Sequence, residues 1–120
     1  MKQSKRTAEH YQWGDACDGW HLVKEGELSV IQERMPPGTS EVRHYHEKSR
    51  QFFYILSGTA VLEVEGEEIV LFPQEGMEVP PGAVHQIHNR SDGDVELLVI
   101  SQPKAQGDRV IVEEKEPSAS

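Results

Sequence analysis

Cysteine is almost missing: Cys17 stands alone in 120 residues. No internal disulfide can form, so a packed core must hold the fold, and this usage fits a reducing, cytoplasmic compartment. Cationic side chains are also scarce. Twelve Lys and Arg stand against 21 Asp and Glu, a formal net charge of −9 with the histidines neutral. Such a surface repels phosphate backbones and anionic lipid, so neither nucleic acid nor a membrane is expected as a partner. There is no long hydrophobic run. The longest, Phe52 to Leu56, is far short of the ~20 residues that cross a bilayer, and Lys2, Lys5 and Arg6 precede no apolar stretch that would make a signal peptide. Sustained helical periodicity is absent too, and proline recurs too often for long helices.

What is present favours pleated sheet. Twelve Val and six Ile outnumber seven Leu and six Ala, and β-branched side chains suit strands. The length is that of one ordinary domain. Residues 1–19 read as a polar, irregular N-terminal arm, residues 20–112 as a single β domain, and residues 113–120 as a tail expected to fray. Between Trp20 and Val112 short apolar segments alternate with turn signals: Met35-Pro36-Pro37-Gly38, Gly58-Thr59, Glu65-Gly66-Glu67, Pro80-Pro81-Gly82 and Asp92-Gly93-Asp94. About ten short strands on this rhythm call for a sandwich or a barrel, because a flat open sheet would expose too many edges.

The chemistry starts at His44-Tyr45-His46. Residues two apart on a strand share a face, so both imidazoles converge, although a surface strand could carry such a pair idly. Gln51 lies five residues beyond His46, after a polar turn, and is placed at the start of an antiparallel return strand opposite the pair. His85 follows the rigid Pro80-Pro81-Gly82 turn. Two or three imidazoles with an oxygen donor form a plausible ligand set for a divalent transition ion.

These residues resemble the cupin superfamily. Its first motif is Gly, five residues, His-x-His, four residues, Glu, six residues, Gly; here Gly38, His44, His46, Gln51 and Gly58 fall at those spacings. In its second motif Pro80, Gly82, His85 and Asn89 match. The resemblance spans about residues 28–101 and implies an all-β double-stranded β-helix, the cupin jelly-roll barrel, with a metal inside. The metal ligands it implies are His44, His46, Gln51 and His85. Two positions depart from the pattern. Gln74 stands where a glycine is expected, with Gly76 two residues on to supply the backbone freedom. Gln51 replaces the usual glutamate. A neutral amide leaves a bound divalent ion its full charge, which polarises carbonyls and enediols more strongly but holds the ion less tightly. A site that has lost its metal is the other reading of that exchange. Fe, Mn, Ni, Co, Zn and Cu all suit mixed nitrogen and oxygen ligation.

Phe53 and Ile55 share parity with Gln51, and Ile87 shares it with His85, so these three are expected to line the interior near the metal. His88 points to the opposite face from His85. His10 and His21 have no partner at ligand spacing and read as surface residues, and Cys17 lacks a basic neighbour to activate it. No catalytic acid or base can be singled out; Arg34 is one candidate clamp for an anion. Two functions remain open. The first is an enzyme acting on a small oxygenated molecule, a sugar or a carboxylate or enediol, by isomerase, lyase or dioxygenase chemistry. The second is a non-catalytic small-molecule-binding or sensing module. An inward acid, base or arginine beyond the metal ligands would favour the first. A homodimer is expected, with Trp13, Trp20 and Phe52 supplying apolar surface.

Overall fold

Alternation of inward apolar and outward polar side chains divides the chain into eleven strands. The computed structural model describes residues 2–113. The strands are β1 (Glu9–Trp13), β2 (Cys17–Lys24), β3 (Ser29–Met35), β4 (His44–His46), β5 (Arg50–Ser57), β6 (Ala60–Val64), β7 (Glu67–Leu71), β8 (Gly76–Val79), β9 (His85–His88), β10 (Val95–Gln102) and β11 (Arg109–Ile111). They form two antiparallel sheets. One has the order β1-β2-β3-β10-β5-β8 and the other β11-β4-β9-β6-β7. From β3 onward the chain passes repeatedly from one sheet to the other, and β6–β7 is the only excursion that stays within its sheet. This is the jelly-roll winding of a double-stranded β-helix.

The core lies between the inner faces. β10 shows how it is made: Val95, Leu97, Val99 and Ser101 are buried, whereas Glu96, Leu98 and Ile100 alternate with them toward solvent. Phe53, Ile55, Leu62, Ile87, Leu97 and Val95 are almost entirely removed from water, and Cys17 joins the same cluster at its β2 end.

The N-terminal arm is not irregular. Residues 9–24 form a hairpin, with Glu9 opposite His21 and Trp13 opposite Cys17, and β2 then pairs along β3. The polar look of this stretch misleads because its outer face is wet and its inner face is built from Tyr11, Trp13, Cys17 and Gly19. The expectation that β5 returns beside β4 is also wrong. β4 belongs to the five-stranded sheet, whereas β5 pairs with β10 and β8 in the other, so Gln51 faces the histidines across the barrel. Of the tail expected to fray, residues 114–120 lie outside the described residues.

Asn89 locks the segment that carries β9 into β10. Only 1% exposed, it donates through Nδ2 to the carbonyls of Met35 and Gly93, both at 2.8 Å. Its Oδ1 accepts from the Ser91 amide at 3.0 Å and the Ser91 hydroxyl at 2.7 Å. Asn89→Ala strands these groups in a dry site and is expected to cost about 2–3 kcal/mol, read as a lower urea midpoint at unchanged slope.

Candidate metal centre

His44 and His46 project inward from β4 at 3% and 5% exposure, with Tyr45 between them on the other face. His85 opens β9, the neighbouring strand, and its backbone is in register with His44. The turn before it is fixed to the same place, since the Gly82 amide donates to the His46 carbonyl at 2.7 Å. The three rings therefore meet. Centroids are 4.9 Å apart for His44 and His46, 4.4 Å for His44 and His85, and 5.8 Å for His46 and His85. One nitrogen from each lies within 4.8 Å of the others.

Their protonation suits coordination. His44 Nδ1–H donates to the Val42 carbonyl at 2.7 Å and His85 Nδ1–H to the Ala83 carbonyl at 3.0 Å. Each bond fixes the tautomer and leaves the Nε2 lone pair free. His85 Nε2 and His46 Nδ1 are buried with no hydrogen-bond partner. Burial, and then the neighbouring imidazoles, push His44 down to about 3. Burial and the proximity of His85 push His46 down to about 4, and burial lowers His85. All three imidazoles are neutral at pH 7, the form a metal would need.

Gln51 comes from the opposite sheet and is 6% exposed. Its Nε2 donates to Ser101 Oγ at 3.0 Å, while Oε1 is buried and meets no donor. An unmet buried acceptor is costly, and a cation would satisfy it. The donor set of three neutral imidazoles and one amide oxygen thus fits a divalent transition ion.

His44, His46, Gln51 and Phe53 line a cavity of about 370 Å³, a size suited to a small ligand. Ile55 and Ile87, expected to line it, are 0% exposed and belong to the packed core instead. His88 lies outside the imidazole cluster. Arg34 is no clamp. It points outward, binding Asp18 at 2.8 Å and Asp94 at 3.1 Å. His10 is not an idle surface residue either, since its Nε2 contacts Asp18 Oδ1 at 2.8 Å and its ring packs on Trp20. Cys17 is wholly buried, and burial raises its thiol, which is the opposite of activation.

Sequence reasoning missed two carboxyl groups. Glu33 and Glu41 line the cavity together with Arg109. Burial pushes Glu33 up to about 8, opposed by the hydrogen bond from Tyr11. Burial, and then repulsion from Glu33, hold Glu41 well above the usual carboxylate range. For Glu33 the signal was there. It alternates with Ile31 and Met35, both buried, so it shares the inward parity of β3. Glu41 sits in the β3–β4 loop, where no periodicity points anywhere.

Residues 31–101 match the Cupin domain family, and the chain belongs to that family. It is 38% identical over 68 residues to the tetracenomycin polyketide synthase protein TcmJ of Streptomyces glaucescens, across 57% of this chain and 44% of that protein. An uncharacterized protein of Aquifex aeolicus is 42% identical over 107 residues, with 77% of this chain and 88% of that one covered. The chain thus spans under half the length of TcmJ and matches 18% of a Bacillus subtilis quercetin 2,3-dioxygenase. Among solved structures, the polyketide cyclase RemF of Streptomyces resistomycificus superposes with a TM-score of 0.79 at 17% identity, over 97% of this chain and 88% of that one. At that identity the likeness speaks for the fold alone.

The depressed imidazoles have a measurable consequence in the metal-free protein. The folded state holds these rings neutral below pH 6.5, where the unfolded chain protonates them, so their contribution is present above pH 6.5 and is lost as pH falls toward 4. Replacing His46 with Asn removes one such group. Between pH 6.5 and 4, urea stability of the natural protein is expected to fall about 2–3 kcal/mol further than that of His46→Asn.

Proposed function

We propose that this chain is a mononuclear metal-dependent cupin enzyme that acts on a small oxygenated molecule, a sugar or a carboxylate or enediol. His44, His46 and His85 would hold the ion through ring nitrogens and Gln51 through Oε1. The observation that carries this reading is the set of three neutral imidazoles within 4.8 Å, together with a buried amide oxygen that no donor meets. A divalent ion there would supply Lewis acidity to a substrate oxygen. Because amide and imidazoles are neutral, that acidity would not be offset by a carboxylate ligand. Two half-buried carboxyl groups and Arg109 in the same cavity favour catalysis over passive binding, since they supply groups able to move a proton beside a bound ligand. The reaction classes in keeping with this cavity are isomerase, lyase and dioxygenase chemistry.

The single barrel, which takes in the β1–β2 hairpin as well as residues 20–112, is proposed to work as a cytoplasmic homodimer. Trp13 and Trp20 do not supply the apolar face, because Trp13 packs on the core and Trp20 is covered by His10 and Lys5. Phe52 does remain exposed, and Leu56, Val70 and Phe72 are among the other exposed apolar side chains. Light scattering that reads a single 13.6 kDa species would remove the dimer from this proposal.

Elemental analysis of purified protein tests the metal centre. The natural chain is expected to carry about one divalent ion, His46→Ala to lose it, and Gln51→Glu to retain it about 10-fold or more tightly against a chelator. Equal metal content in all three would overturn the assignment.

A further inference from the structure

Three residues lie in one row across the six-stranded sheet. Tyr11 of β1 is opposite Gly19 of β2, and Gly19 is opposite Glu33 of β3. A Cβ on Gly19 would sit 2.3 Å from Tyr11 Cζ and 2.6 Å from its hydroxyl oxygen. Only a residue without a side chain lets the phenol ring cross β2 and reach Glu33. Burial and the Glu33 carboxyl hold the Tyr11 hydroxyl protonated, so it donates. A second cavity of about 270 Å³, bounded by Tyr11, Trp13 and Ser40, shares Glu33, Glu41 and Arg109 with the cavity at the imidazoles. The carboxyl pair therefore forms the wall between an inner and an outer chamber. Glu41 is held there by its backbone, which donates to the Ile87 carbonyl at 3.1 Å, while its Oε1 accepts from the Ile87 amide at 3.3 Å. The inner chamber is built for a ligand, since Gln51 lines it with a buried, unpartnered oxygen.

We propose that Glu33 is the acid–base group of this cavity and that Tyr11 is the residue that positions it. The substrate class is a carbonyl compound with a C–H beside the carbonyl. This rests on the reading above that substrate is held at the imidazoles. In the step itself, a carboxylate oxygen of Glu33 takes the proton from that carbon. The C–H electron pair becomes a C=C bond, the carbonyl π pair moves onto oxygen, and the acid later returns the proton. The groups around Glu33 are Tyr11 from β1, the Cys17 thiol from β2, Glu41 from the β3–β4 loop and Arg109 from β11, with His44 and His46 lining the same cavity; opposite Glu33 in the sheet β2 presents Gly19 and β10 presents Leu97, neither charged. A proton near neutral pH is what such a base needs to both take and return hydrogen.

The test uses the full chain with ¹³C-labelled glutamate, metal-free and with Zn²⁺, and Glu33→Gln to assign the resonance. In the metal-free protein Glu33 is expected to titrate near pH 8. Tyr11→Phe, which removes a donor to the carboxylate, should move that value up by about one pH unit. In D₂O the Zn²⁺ protein should speed loss of the α-proton signal of pyruvate or dihydroxyacetone over free Zn²⁺. Glu33→Gln should lose that gain by about 100-fold while keeping its zinc. A Glu33 that titrates with the surface glutamates, a Tyr11→Phe value that does not move, or no exchange with either probe would overturn the proposal. Zinc retention is measured on the same samples. Loss of zinc with the Glu33 titration and its response to Tyr11→Phe intact points to failure of the metal reading instead.

Discussion

At the centre of this molecule burial keeps the protein's own groups uncharged. Three imidazoles and an amide are packed where two sheets close over one another, and water cannot screen a charge there. The backbone carbonyls of Val42 and Ala83 take the Nδ1 protons of His44 and His85, which leaves nitrogen lone pairs facing one another with nothing to share. That arrangement is unfavourable for the folded chain alone. Its cost is tolerable because the surrounding shell is rigid: Asn89 ties the loop after β9 to β3, and the Pro80–Gly82 turn is tied to His46. Strain of this kind, held by structure elsewhere, is what a binding centre requires.

Much of the barrel was legible because period-two alternation is a local signal. His44 and His46 converge for the same reason that Val95, Leu97 and Val99 do, and turn residues marked most strand ends. Pairing between strands was less legible. Nothing local in residues 47–50 says that the chain leaves one sheet and enters the other, so the return of β5 beside β4 was the natural but mistaken reading. Ile55 and Ile87 show the limit of parity. It tells which face a side chain takes, not how deep along the barrel it sits, and these two fall in the packed core rather than at the cavity.

The hairpin of β1 and β2 shows how a polar stretch can hide a structural role. Asp18 binds His10 and Arg34 on the outer side, while Tyr11 and Gly19 serve the inner one. Composition averages those faces and reports a loop. A glycine opposite a tyrosine in a strand pair is the informative detail, because the missing Cβ gives an aromatic ring room to lie across the sheet. That pairing could be seen only once the register was known.

Gln51 and the two buried glutamates belong to one electrostatic problem. A glutamate at position 51 would add an anion beside the imidazoles, in a cavity that already encloses Glu33 and Glu41. Three carboxylates could not all ionise there. With an amide at 51, the carboxyl groups of the cavity are those of Glu33 and Glu41, which also border the second cavity. A divalent ion at the imidazoles would draw the Glu33 proton affinity down from about 8 toward neutrality. With a metal bound, an amide at 51 would weaken the hold on the ion but leave it its full charge, and would set a nearby acid within reach of neutral pH, where a proton can be both taken and given back.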